Sequence, residues 1–341
     1  MLKAAILGCG GIANTHARIL TELEDKVQIT ALCDIAKERA VGFNERYAKN
    51  KATAFTDFAQ MYQKAEIDVV YICLPPFAHT NEVQLAAERG IHVFIEKPIA
   101  LSMDIANQMV EAVEKHGVKS QVGFMSRFGA AVERVKTMLD SGEAGQVGLM
   151  TGKYMCNALH APWWREREKS GGQIVEQIIH TYDVVRYLLG EPKTVFCRMD
   201  NLFHKNVERY TSEDISATVI TFKNGAVASV TGTNGGIPGK WLSAYELVAK
   251  NIVVQFASAN EAKLFRTDKS PVEEETIVST IDPKKAETLD LFQAIETDGK
   301  TRIPMIEGAK TLELVLAANK SGMTGEIVEL GSVDEFEEML S

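Results

Sequence analysis

Lys3-Ala4-Ala5-Ile6-Leu7-Gly8-Cys9-Gly10-Gly11-Ile12-Ala13 is an apolar run that breaks at a glycine turn and resumes as a helix. The first five residues suit a short buried strand, and Ile12, His16, Ile19, Leu20 and Leu23 recur at helical spacing. The turn reads G-x-G-x-x-A. One glycine permits the tight turn, a second lets the backbone approach a pyrophosphate, and the small residue allows close helix packing. Amides opening the helix would face the phosphates, helped by the helix dipole. Gly8, Gly10, Gly11, Ile12 and Ala13 are therefore candidate cofactor contacts. Alone the motif is weak, since glycine turns join many strands to helices.

The chain beyond it strengthens the reading. Val27 to Cys33 forms a second strand ending at Asp34, 24 residues past Gly10, near the ~20 expected of a carboxylate that binds ribose hydroxyls. Asp34 would repel a 2′-phosphate, and no Arg immediately follows it, which favours NAD over NADP. The other reading of Asp34 is the N-cap of a helix over 36–47. Asp68 to Leu74 is a third strand, stopped by Pro75-Pro76. A helix from about His79 to Arg89 leads to Ile91-His92-Val93-Phe94-Ile95-Glu96-Lys97-Pro98, a strand that ends abruptly at a carboxylate, an amine and a proline. Ligands of open parallel sheets gather at such carboxyl ends. A helix over 103–115 and a strand over 120–123 follow, so strands alternate with helices as in a doubly wound parallel sheet. His79 either reaches the cofactor or caps its turn.

After Gly123 the pattern changes. A helix over 130–139 is followed by β-branched segments at 147–155, 215–222, 226–233, 244–249 and 252–256, with an Asn224-Gly225 hairpin signal. Strands without intervening helices predict a largely antiparallel sheet in an α+β domain. Two helices return at 287–297 and 307–319. The expected division is a dinucleotide-binding domain over 1–123 and a substrate-binding and oligomerisation domain over 124–341, with a C-terminal helix free to pack back on the first. Within the second, Glu176, His180 and Asp183 stand four and three residues apart, hence on one helix face. A carboxylate beside an imidazole fixes its tautomer and raises its basicity, as a general base requires. The competing reading is a structural hydrogen bond from His180 to the sheet.

Composition limits the alternatives. At 341 residues, 45% hydrophobic and 24% charged, the chain is long enough for two ordinary globular domains. A net charge of −9 offers no basic face for nucleic acid, and no apolar stretch approaches a membrane span. Five dispersed cysteines without C-x-x-C, and an N-terminus that runs straight into Gly8, lead to the expectation of a reduced, cytoplasmic protein without a resident metal.

Taken together these residues resemble the family of glucose-fructose oxidoreductase, inositol dehydrogenase and MocA (Gfo/Idh/MocA). The resemblance rests on Gly8 to Ala13, Pro75-Pro76 with His79, Glu96-Lys97-Pro98, Gly123 with Arg127-Phe128, Trp164-Arg165, and Gly171-Gly172 with Glu176, His180 and Asp183. It implies an N-terminal Rossmann domain and a C-terminal domain with a large, mostly antiparallel open sheet, through which homodimers or homotetramers form. It also implies oxidation of a secondary alcohol of a sugar or cyclitol with NAD(P). Carried over, Lys97 hydrogen-bonds the reacting hydroxyl, Glu176 and His180 transfer the proton, Glu96 lies near the nicotinamide ribose, and Asp183 binds substrate. Leu74, Pro75, His79 and Arg165 join the cofactor contacts. Lys153, Tyr154, Trp163 and Arg127 are further candidates for a substrate platform. The family commonly has Asp where Glu176 stands, so Glu176 either touches substrate or only orients His180. Two other readings follow from the resemblance: a glycosidase or epimerase that recycles NAD without net redox, and a non-catalytic NAD(P)-sensing regulator.

Overall fold

A computed structural model describes residues 1–331. They form two compact units, Met1–Gly123 with Lys284–Ala309, and Phe124–Pro283 with the chain from Lys310.

The sheet of the first unit contains β1 (Leu2–Leu7), β2 (Val27–Cys33), β3 (Thr53–Phe55), β4 (Val69–Ile72), β5 (His92–Ile95) and β6 (Ser120–Val122). Their order is β3-β2-β1-β4-β5-β6, and every neighbouring pair is parallel. The connecting helices are α1 (Gly11–Glu22), α2 (Lys37–Tyr47), α3 (Phe58–Lys64), α4 (Glu82–Ala87) and α5 (Met103–Lys115). All of β4 and the last four residues of β1 are buried, as strands covered on both faces must be. Helix α1 buries Ala13, His16, Ala17 and Leu20, one stripe at spacings of three and four. β3 and α3 had no counterpart in the sequence reading: three and seven residues are too few for a periodicity to show. The strand order reverses between β1 and β4, which opens a crevice at their carboxyl ends. Gly8 follows β1 there, and Leu74-Pro75 follows β4.

The second unit opens with α6 (Ala130–Asp140) and β7 (Val147–Met155). Short helices α7 (Pro162–Arg165) and α8 (Arg167–Ser170) precede a π-helical turn, Ile174–Ile178, that runs into α9 (Ile179–Leu189). Then come β8 (Pro192–Asp200), β9 (Ile215–Phe222), β10 (Val227–Thr233), β11 (Leu242–Ala249), β12 (Ile252–Phe256), β13 (Glu261–Arg266) and β14 (Glu273–Val278). Helices α10 (Pro283–Glu296) and α11 (Met305–Thr324) and strand β15 (Val328–Glu329) complete the described chain. The sheet order is β14-β13-β12-β11-β7-β10-β9-β8-β15. Only β7 and β10 run parallel; the other pairs are antiparallel. The hairpin at Asn224-Gly225 joins β9 to β10, with Gly225 at φ 88°.

Two glycines in the central strands let the π turn and α9 lie close on one face of this sheet. A Cβ on Gly152 of β7 would stand 2.7 Å from the Thr181 methyl, and one on Gly232 of β10 would stand 2.0 Å from Ile178 Cδ1. The segment carrying Glu176 and His180 is thereby pressed against the sheet. On the other face Leu149, Val219 and Val227 are exposed, with Leu149 opposite Val227 in the ladder.

The division of the chain corrects the expectation of one continuous second domain over 124–341, because residues 284–309 belong to the first unit. The reason is apolar packing: Leu291 and Phe292 of α10 complete the cluster formed by Ile6, Leu20, Tyr71 and Phe94.

Candidate active site

In the first unit the glycine turn is shaped for close approach. Gly8 has φ 89°, and a Cβ there would be 2.7 Å from the Cys73 carbonyl oxygen, so β1 and the end of β4 tolerate no side chain. Gly10 and Gly11 are different: a Cβ on either meets nothing within 4 Å. They border open space, where a ligand's phosphates would approach the backbone. Gly10 is the N-cap of α1, no side chain caps the helix and its first turn has no acidic residue. The amide donors of that turn thus face outward with the positive end of the helix dipole. Ala13 is fully buried, as the packing position requires, and burial pushes the Cys9 thiol up to about 12, keeping it neutral beside an anion.

Asp34 ties this turn to the end of β2. Its carboxylate accepts from the backbone N–H of Cys9 and of Ala36, each at 2.9 Å. The helix-cap reading is set aside, since α2 begins at Lys37 with Ala36 as its N-cap and no side-chain cap. One bond to each carboxylate oxygen leaves lone pairs for ribose hydroxyls. The residues present therefore fit a dinucleotide.

Glu96 and Lys97 leave β5 in different surroundings. Glu96 is buried, with Oε1 2.7 Å from His16 Nε2 and 4.0 Å from Lys284 Nζ. Burial acts to raise this carboxyl, but Lys284, His16 and Lys97 outweigh it and hold the group well below the usual carboxylate range. Gly123 makes room for it, since a Cβ there would be 3.0 Å from Glu96 Oε2. Lys97 is half-buried, at the strand's carboxyl end. His16 and Lys284 are participants that the sequence reading missed; His16 had been counted only as a helix-face residue. His79 is buried, its Nδ1 2.6 Å from Glu82 Oε1, while the other oxygen of Glu82 accepts from Thr80 N–H at 2.7 Å. That arrangement orders the turn after β4.

In the second unit a pocket opens beside the π turn, lined among others by His160, Trp164, Gln173, Glu176, Gln177, Tyr210 and Asn234. Glu176 is 6% exposed. His180, one turn on, is half-buried with its ring edge-on to Phe124, centroids 6.2 Å apart. π turns insert an extra residue and are frequent at functional sites. Glu213 fixes this one: fully buried, it accepts from Ile174 N–H and from Arg167, both at 2.7 Å. Gly172 leaves space for its carboxylate, 2.4 Å from where a Cβ would stand.

Several expected substrate contacts are placed otherwise. Asp183 is wholly buried in a two-pronged pair with Arg127, at 2.9 and 2.7 Å, and accepts a third bond from Thr311 at 3.0 Å. Arg127, 3% exposed, also lies over the Tyr187 ring at 4.6 Å. Sequence spacing put Asp183 with Glu176 and His180; in the structure it is buried and paired with the Arg127 guanidinium. Lys153 and Tyr154 were grouped, but successive strand residues face opposite ways. Lys153 is exposed, whereas Tyr154 is half-buried, and burial, then Cys156 and Glu176, raise its phenol. Trp164 lines the pocket where Trp163 was expected. Arg165, expected at the cofactor, donates to the Leu159 and His160 carbonyls at 2.9 and 3.4 Å and so shapes the pocket wall.

A parallel six-stranded sheet with a glycine-lined switch point, followed by a nine-stranded sheet bearing an acid-imidazole helix, defines a two-domain dinucleotide-dependent oxidoreductase. Comparison with known proteins agrees. The oxidoreductase family model with an NAD-binding Rossmann fold, GFO_IDH_MocA, matches residues 2–124, and the GFO/IDH/MocA C-terminal domain matches 132–248. The chain belongs to the Gfo/Idh/MocA family of NAD-binding oxidoreductases. It is 31% identical over 230 residues to a scyllo-inositol 2-dehydrogenase (NAD(+)) of Bacillus subtilis, covering 67% of this chain and 66% of that one. It is 28% identical to an inositol 2-dehydrogenase of Salmonella typhimurium over 98% of this chain and 99% of that protein. Levoglucosan dehydrogenase, solved with NADH and L-sorbose, shares the fold with a TM-score of 0.89 at 20% identity, over 97% and 99% of the two chains. Among the described residues no helix is long and apolar enough to cross a membrane, and all five cysteines are buried and unbridged.

Proposed function

We propose that this protein oxidises a secondary alcohol of a sugar, sugar derivative or cyclitol to the ketone, with NAD as the hydride acceptor. The observation that carries the reading is the buried Glu176, one turn before His180, lining a polar, aromatic-walled pocket in a chain whose relatives bear inositol dehydrogenase names. Bound nicotinamide supplies the acceptor for the hydride that leaves the carbinol carbon. The chain supplies the rest. Lys97 donates a hydrogen bond to the reacting hydroxyl and lowers the cost of its deprotonation. His180 takes the hydroxyl proton as general base. Glu176 orients the imidazole or meets a neighbouring hydroxyl itself.

The amides opening α1 hold the pyrophosphate and Asp34 holds the adenosine ribose. The Asp34 carboxylate favours NAD over NADP, because a 2′-phosphate there would face a like charge. Leu74 and Pro75 belong to the cofactor contacts, at the switch point. Self-association into a dimer or tetramer through the exposed Leu149, Val219 and Val227 face, and a cytoplasmic location, complete the reading. A panel of aldoses, cyclitols and sugar acids incubated with NAD tests it, following absorbance of the reduced cofactor. Reduction by a polyol is expected; product formed without net reduced cofactor would instead point to recycled NAD.

A further inference from the structure

The pocket beside the π turn contains an acceptor with nothing to accept. Gln173 is 4% exposed, its amide nitrogen reaches Cys156 Sγ at 3.9 Å, and its Oε1 has no hydrogen-bond partner among the described residues. A buried carbonyl oxygen in that state costs about 1–3 kcal/mol, so a ligand that donates to it gains what the free protein lacks. Around it, Cys156 offers its S–H to Gln177 Oε1 and Asn234 Oδ1 at 3.3 and 3.2 Å, which fixes both amides. Asn234 Nδ2 donates to the Tyr210 oxygen at 2.9 Å, leaving the phenol proton to point elsewhere. The pocket thus presents one open acceptor, one phenolic donor and a Trp164 wall. Hydroxyls, which both donate and accept, match that set.

Charge narrows the ligand further. Of the pocket's lining, Arg165 gives two of its N–H donors to backbone carbonyls and keeps its charge, and Glu176 supplies a carboxylate. Nearby Arg167 is neutralised by Glu213 at 2.7 Å. Arg165 and Glu176 carry opposite charges, so the lining has no net positive charge to hold an anionic group.

We propose that Gln173 is a specificity-determining residue: this pocket receives an uncharged, hydroxyl-bearing part of the substrate distal to the carbon being oxidised, and selects neutral polyols over sugar acids and sugar phosphates. The inference rests on the dehydrogenase reading and deepens it. Its test compares wild type, Gln173→Leu and Tyr210→Phe on neutral sugars and cyclitols, their singly deoxygenated analogues, and the matching acids and phosphates. Gln173→Leu is expected to raise KM for the best neutral substrate about tenfold with kcat within about twofold, as lost uniform binding does. It should leave KM unchanged for the one deoxy analogue that lacks the hydroxyl concerned, a selectivity that a structural defect would not produce. Tyr210→Phe removes a single oxygen and should raise KM less, which keeps the proposal testable if the first variant fails to fold. Unchanged KM in the folded variants, or wild-type preference for the acids or phosphates, would overturn the inference while leaving the dehydrogenase reading intact. Absence of turnover on every sugar by NAD-loaded wild type would overturn both.

Discussion

The glycine turn at 8–13 and the π turn at 174–178 both hold functional groups in place, by opposite means. The first works through backbone: Gly8 is excluded from carrying a side chain by the Cys73 carbonyl, and Gly10 and Gly11 border empty space. The second works through buried side chains. Glu213 holds the π turn's first amide, Gly152 and Gly232 admit the helix to the sheet, and Cys156 locks two amides of the pocket. A backbone site leaves a short, fixed spacing in the sequence. A side-chain site is assembled from residues spread over 156–234, and no local pattern reports it.

The sharpest way to break the comparison is at the chemistry. His180→Ala should lower kcat/KM by about 10²–10⁴, the range for a lost general base, with NAD affinity unchanged in a fluorescence titration. An equal loss of NAD binding would show that the two regions are not separate in function.

Next in size is the buried pair of the second unit. Arg127→Leu leaves Asp183 without its guanidinium at zero exposure, and should cost about 3–5 kcal/mol in denaturant unfolding. If Asp183 instead served mainly as a substrate ligand, the variant would keep its stability and change KM.

The glycines provide a third contrast. Gly8→Ala should destabilise by at least about 1–2 kcal/mol, from a left-handed backbone alone, besides the contact with Cys73. Gly10→Ala meets no protein atom, so it should retain its melting temperature and lose NAD affinity. Equal effects of the two on stability would refute the distinction between a packed and an open glycine.

The smallest effect concerns pH. Glu96 is held below its ordinary value of 4.5. Its ionised form therefore contributes stability that is complete above that value and is lost as pH falls below it. Glu96→Gln should flatten the acid limb of stability against pH, measured by thermal unfolding from pH 7 downward, and should leave the neutral and alkaline limbs parallel to wild type.

How much of this was legible in the sequence follows the same contrast. The Rossmann half could be read because Gly8, Gly10, Ala13 and Asp34 stand at spacings set by one turn and one strand, and because strands buried on both faces are continuously apolar. Its β3 and α3 were missed for lack of length, and α10 was assigned to the second domain because nothing local says that Leu291 and Phe292 fill the first unit's core. In the second unit β7, β9 and β12 stood out by their β-branched residues. Glu176, His180 and Asp183 could be singled out by spacing, but spacing does not reveal that Asp183 is buried against Arg127. Lys153 beside Tyr154 could have been separated by strand alternation alone. Gln173 and Glu213 left no signal of their own, and Trp164 stood out only as part of Trp164-Arg165 in the family resemblance.

The central claim is that Lys97 acts on a polyol hydroxyl in an NAD-dependent oxidation. Steady-state reduction of NAD by neutral sugars and cyclitols, compared between wild type and Lys97→Ala at equal cofactor saturation, tests it most directly. The account predicts turnover by wild type and a loss of at least about a hundredfold in the variant; full turnover by Lys97→Ala would contradict it.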